Sequence, residues 1–560
     1  MKRYFARTLA AVGAALLLGG SAETARAACG DLNNSGAIDP GDAVILANEL
    51  GGAATVCDTT PADCDLDGSG QPPPVTNPPD IGVGDLVFML NRLAGVETLT
   101  APCVGLGPVL ACGTNLSGTI TSNRQLAGSP PGCTHFVDGT VKVAANVTLT
   151  VQAGATVKGK VTSTNGSDSV LIVLQDAKIN APGSAANPVV FTSDATPGTR
   201  SPGDWGGVML NGRAPVNVPG GIGSAEGLPP GEAFFGGSEP NDSSGLIRFA
   251  RIEYSGIEFS TDNELNVFTQ NGVGRGTIID HIQANAGFDD CIEWFGGTVD
   301  EQFLVASGCR DDLFDWQLGY TGSVQFGLGI QNATISTGSG RNGFEGDNNV
   351  GGENFTPRSN PTFCNMTVIG SKQQSDTTAG RSGALLRLGT AGVIANSIIM
   401  DWSASCFRLD HNSTSAVACD AGPVLDTGAE NLAIFDTVCY NNGGPASVPV
   451  TATPDHAEGS AAAPCTPSQW FTLLEASNGL SPATETSLGT DPGIDNFPYA
   501  TVVDNRWFPT LNLGTFTGAP DCQDQNPDFF DSATYVGAFD PNNNPGGNWL
   551  SSPWIDFAVN

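Results

Sequence analysis

The chain has 560 residues, 73 of them glycine, with 23 Lys and Arg against 57 Asp and Glu, a formal net charge of −34. That balance excludes a nucleic-acid partner, because a polyanion repels phosphate, and it directs long-range attraction toward cations and cationic surfaces. The length allows an extensive core and more than one domain.

Residues 1–27 read as a secretory signal peptide. Lys2, Arg3 and Arg7 precede the apolar run Leu9 to Leu18, and Ala25 with Ala27 form a small-residue cleavage site. A secreted location is therefore expected. No later apolar run is long enough to span a bilayer. All 14 cysteines lie beyond the cleavage site, which suits disulfides in an exported chain, with Cys57–Cys64, Cys103–Cys112 and Cys406–Cys419 as possible local bridges.

Residues 28–98 carry two acidic loops. In the first, Asp31, Asn33, Ser35, Ala37, Asp39 and Asp42 stand at the offsets by which calcium loops place side-chain and carbonyl oxygens, with Gly36 at the sharp turn. The second repeats the opening with Asp65, Asp67, Ser69 and Gly70, is interrupted by a proline-rich insertion from Gln71 to Pro79, and ends at Asp85. Each loop runs into an amphipathic segment, AVILANELGG and LVFMLNRLAG. This duplicated loop-then-helix resembles the type I dockerin module. The resemblance implies a small α-helical domain folded by Ca2+ that docks onto a cohesin-bearing partner. The alternative is a pair of acidic solvated loops.

Residues 99–114 read as a linker. From residue 115 short runs of Val, Ile, Leu and Phe alternate with Gly, Asn, Asp and Ser, an all-β texture. A fixed period appears when His281 to Gly297 is laid over Phe303 to Gly319: Asp289 and Asp290 fall on Asp311 and Asp312, Glu293 on Asp315 and Trp294 on Trp316, all offset by 22. A constant offset of this size predicts stacked coils of a right-handed parallel β-helix over 115–445, with Trp294 and Trp316 filling its core. Residues 446–560 are expected to supply further coils and a cap on the last one. The phrases GDWGGVMLNGRAPVN, DDCIEWFGGTVD, DDLFDWQLGY and ATYVGAFDP are similar to those of secreted bacterial β-helix proteins of the pectate-lyase-like superfamily, a resemblance that brings no assigned activity.

In CIEW, LFDW, GFEG, LLRL and CFRL one phrase recurs: an apolar residue, a charged one, then an apolar residue or glycine. Stacked in register, Glu293, Asp315, Glu345, Arg387 and Arg408 would line one exposed face at spacings of about 4.8 Å. Carboxylates that close repel unless they share a proton or a cation. Two functions stay open. One is a carbohydrate-associated or cell-surface binding and structural component, its charge ladder solvated or cross-paired. The other follows the arrangement of the superfamily's pectate-lyase-like enzymes, to which the ladder is similar, and a calcium-dependent lyase of acidic polysaccharides is what that likeness implies. There Glu293, Asp315 and Glu345 hold the ion or substrate, Asp289, Asp290, Asp311 and Asp312 add ligands from the corner, and Arg387 or Arg408 is the base. A glycoside hydrolase has only DDCI in its favour, since the other polygalacturonase motifs are absent.

Overall fold

The computed structural model describes residues 107–452 apart from short internal stretches, the longest being 411–431, and the segments 522–540 and 549–557 apart from two residues in each. The signal peptide and both calcium loops, with Asp31, Asn33, Ser35, Ala37, Asp39, Asp42, Asp65, Asp67, Ser69 and Asp85, lie outside the described residues.

From Asn115 onward the chain winds through three parallel sheets. Sheet 1 stacks Val170–Val173, Val208–Asn211, Phe268–Val273, Ile292–Gly297, Phe314–Gln317, Phe344–Gly346, Ser382–Leu386, Ser405–Leu409 and Val450–Ala452. The longer strands Gly245–Glu253, Ile278–Asn285, Glu301–Ser307, Ser323–Ile330 and Thr362–Ile369 each serve sheets 2 and 3, bending once between them. The bend is a single residue in the left-handed region: Phe249, His281, Phe303, Phe326 and Asn365 have φ between 44° and 61°. The rings of the first four stack from coil to coil, with His281 between Phe249 (4.1 Å) and Phe303 (4.3 Å), so the strain of these four turns is shared with an aromatic contact. Parallel stacking of successive coils confirms the solenoid read from the 22-residue offset.

Strand alternation sorts side chains as the pleat requires. Inward on sheet 1 run Val208, Phe268, Ile292, Phe314, Phe344, Ala384 and Phe407, all in one core cluster. The next inward row holds Trp294 and Trp316, buried as expected, and Trp205 is buried too. Gly346 continues that row because an added Cβ would lie 2.2 Å from the Trp316 indole. Gly346→Ala should therefore destabilise the sheet by about 1–3 kcal/mol, read as a lowered denaturant midpoint; an unchanged midpoint would show that Trp316 can yield.

Two of the local bridges expected, Cys103–Cys112 and Cys406–Cys419, are not formed, and Cys57–Cys64 lies outside the described residues. Cys112 pairs with Cys133, Cys291 with Cys309, Cys364 with Cys522, and Cys406 with Cys439. Winding is the reason: residues a few positions apart head to different faces of one coil, while residues 18 to 33 apart return to the same neighbourhood. These bridges are compatible with an extracellular setting. Among the described residues no helix is long and apolar enough to cross a membrane.

Beyond Val450–Ala452, which adds a strand to sheet 1, the C-terminal segment is described only at 522–540 and 549–557. These described residues run back along the turn column between sheets 2 and 3 as a strap, Tyr535 beside Phe326, Trp549 beside Phe303 and Trp554 beside Phe249. Two glutamines clamp its backbone. Gln325 exchanges bonds of 2.8 and 2.9 Å with Asp531, and Gln283 does the same with Asp556. Covering an aromatic column stabilises more than capping one coil end, because it removes a whole row of rings from water.

Candidate functional site: a buried carboxylate row

Outward on sheet 1, Thr269, Glu293, Asp315 and Glu345 occupy one register position on four successive coils. The next two coils place Leu385 and then Arg408 there. Arg387 is thus not in the row: it continues the strand two residues beyond Leu385, level with Asp347. A slip of two residues preserves which face a side chain takes, so the alternation that identified Arg387 as outward could not fix its place along the strand.

The face is not exposed either. Glu293, Asp315 and Glu345 are only 3%, 9% and 8% exposed. Corner residues and long loops close over them. Three groups of carboxylates have ligand atoms within 4.8 Å of one another: Asp289, Asp290 and Asp311; Asp290, Glu293 and Asp315; Asp312, Asp315 and Glu345. They overlap through Asp290 and Asp315, so the acids form one continuous strip rather than separate clusters.

Hydrogen bonds fix most of these oxygens. Glu293 accepts from Gln317 Nε2 at 2.9 Å and from Asn266 Nδ2. Asp290 accepts the backbone N–H of Asp312 at 2.7 Å, and Asp312 in turn accepts that of Asn342, one step per coil. Glu345 accepts from Asn342 Nδ2 at 3.2 Å. Asp311 and Asp315 are the exceptions: Oδ1 of each is buried and meets no hydrogen-bond donor among the described residues.

Burial, and then repulsion from neighbouring acids, raises the pKa of Asp290, Glu293, Asp311, Asp312 and Asp315 well above the ordinary carboxylate range. The same causes push Asp289 up to about 8 and Glu226 up to about 7. Glu226 comes from a loop and Glu264 from the short hairpin strand Asn263–Leu265, both outside the repeat, and Glu264 is among the charges that act on Asp289 and Glu226. No periodic signal marks these two, which is why sequence reasoning missed them. A buried acid strip must either hold protons or neutralise itself with a cation.

The donors fit a hard cation. All are oxygens, without thiol or imidazole in any group, which favours Ca2+ or Mg2+ over transition metals. Two oxygens on opposite sides of Ca2+, each at about 2.4 Å, lie about 4.8 Å apart, the upper span of these groups.

The two candidate bases are differently placed. Arg387 binds Asp347 through Nε at 3.0 Å and Nη2 at 2.7 Å and also contacts Glu345. Burial works against its charge, but Asp347 and Glu345 outweigh that and hold its pKa above the ordinary value. Arg408 donates to Asp410 at 3.1 Å. A guanidinium gripped by carboxylates is harder to deprotonate, so this arrangement anchors the end of the acid strip better than it abstracts protons.

No curated protein and no solved structure matches the chain. A family model does, over residues 118–457. The described residues of that span form the three-sheet solenoid that carries the carboxylate strip, and the chain belongs to the family of the pectate-lyase like beta helix domain.

Proposed function

We propose that the protein is a secreted, calcium-binding, carbohydrate-associated component whose β-helix holds Ca2+ on the strip centred on Asp290, Glu293 and Asp315 and binds polysaccharide without cutting it. The observation that carries this reading is the buried Oδ1 of Asp315, which meets no donor among the described residues and belongs to two of the three groups of carboxylates. Family membership supports the association with polysaccharide. The front module belongs to the same reading: Ca2+ on Asp31, Asn33, Ser35, Asp39 and Asp42, and on their counterparts in the second loop, would fold a dockerin-like domain for a cohesin-bearing partner.

A lyase reading needs a free base near the cation, and both arginines on this sheet have carboxylate partners. The deciding experiment incubates the full chain with a panel of acidic and neutral polysaccharides, in calcium and in chelator. Retention on an acidic polymer in calcium, release in chelator and unchanged polymer length are expected. New unsaturated ends that vanish in Arg387→Ala would overturn the binding reading in favour of the lyase.

A further inference from the structure

A second site lies on a different face. Between the outer side of sheet 2 and the strap is a cleft of about 670 Å³, a size that suits two or three sugar rings. Its wall on the sheet includes Arg248, Asp280 and Gln302, in register on three successive coils. Arg275 and Asp300 flank them, and Asn526 and Phe529 of the strap close the opposite side.

The charges are arranged to leave donors available. Arg275 Nε binds Asp300 at 2.8 Å, and Asp300 is further occupied by the backbone N–H of Ser323 at 2.8 Å. Arg248 Nε lies 3.3 Å from Asp280, whose other oxygen meets His281, yet it is buried without a well-aligned hydrogen bond. Each carboxylate thus orients one guanidinium edge while being engaged elsewhere. No hydrogen bond among the described residues uses the Nη groups of either arginine, and the Arg275 side chain is 45% exposed. Beside these donors lie apolar surfaces, Ile278 at 43% exposure and half-buried Phe529, and the amides of Gln302 and Asn526, whose nitrogens donate to Gln325 Oε1 at 3.2 Å and Ser323 Oγ at 3.1 Å so that their carbonyl oxygens are the groups offered to hydroxyls.

We infer that this cleft binds an acidic oligosaccharide of two or three rings, its anionic group on Arg248 and Arg275, an apolar ring face on Phe529 and Ile278, and its hydroxyls on the amides. Guanidinium forks match planar or tetrahedral oxyanions, and aromatic rings pack against the C–H face of a sugar while its rim stays wet. The anionic group is a carboxylate or a sulfate ester, which share this chemistry. The inference rests on the carbohydrate-associated reading but not on the cation, because no residue of the acid strip lines the cleft.

The test is titration calorimetry of the full chain with a uronate trisaccharide, a sulfated disaccharide and their uncharged counterparts, each in calcium and in chelator. Binding of at least one charged probe in chelator is expected, weakened tenfold or more in Arg275→Gln and Arg248→Gln and in the uncharged counterpart. Whichever charged probe binds identifies the group. Binding only in calcium, insensitive to both substitutions, would place the ligand on the acid strip, overturning the cleft while sparing the proposed function. Absence of binding in both conditions would overturn both.

Discussion

Asp315→Asn should abolish the rise in unfolding temperature that calcium gives the β-helix, and in chelator at pH 8 the variant should unfold later than the parent chain. The two effects have opposite signs because they come from the same carboxylate. Without a cation, Asp315 is a buried acid between Glu293 and Glu345, and removing its charge relieves desolvation and repulsion. With a cation, it is the ligand shared by two groups. At a calcium concentration 100 times the dissociation constant the expected stabilisation is about 2.7 kcal/mol, a shift of a few degrees for a domain of this size. Tryptophan fluorescence isolates the β-helix signal, since no tryptophan precedes Trp205 and the calcium loops therefore contribute nothing. Equal calcium shifts in parent and variant would remove Asp315 from any cation site.

A second large effect concerns a group that plays no part in the strip. Glu301 begins a sheet strand yet points inside the solenoid, 0% exposed, accepting the Trp294 indole N–H at 2.7 Å through Oε1 while Oε2 has no hydrogen bond among the described residues. Burial pushes its pKa up to about 8, from an ordinary value of 4.5. Between those values the unfolded chain has released a proton that the folded chain keeps, so stability falls as pH rises. The loss from this one carboxyl is roughly 4–5 kcal/mol across the window, nearly complete just above pH 8. Glu301→Gln retains an acceptor for Trp294 without the charge. The variant should match the parent within about 1 kcal/mol in urea at pH 5 and exceed it by several kcal/mol at pH 8.5. Parallel pH dependences in the two proteins would show that Glu301 is not neutral in the folded state.

Much of this was legible in the sequence, for reasons that also explain where reading stopped. The offset of 22 appears because Glu293 and Asp315, and Trp294 and Trp316, sit on consecutive coils that no insertion separates. Later coils carry insertions, so Glu345 lies 30 residues after Asp315 and Leu385 another 40 on. Once the period is lost, only alternation remains, and alternation cannot detect the two-residue slip that moved Arg387 beside Asp347. Burial of the row was invisible for a related reason: the segments carrying Glu226 and Glu264, whose charges reach Asp289 and, from Glu226, Glu293, follow no repeat. The long-range disulfide Cys364–Cys522 and the glutamine clamps on the strap join residues more than 150 positions apart, and no local pattern announces such a pair.

The most direct measurement is anomalous diffraction from crystals of the full chain soaked in a lanthanide, which takes the oxygen ligands that calcium takes. A peak among the carboxylates of Asp290, Glu293 and Asp315, lost in Asp315→Asn crystals, is the result expected. A structure that shows those carboxylates well ordered, with lanthanide bound elsewhere on the chain and none along the strip, would contradict the cation site.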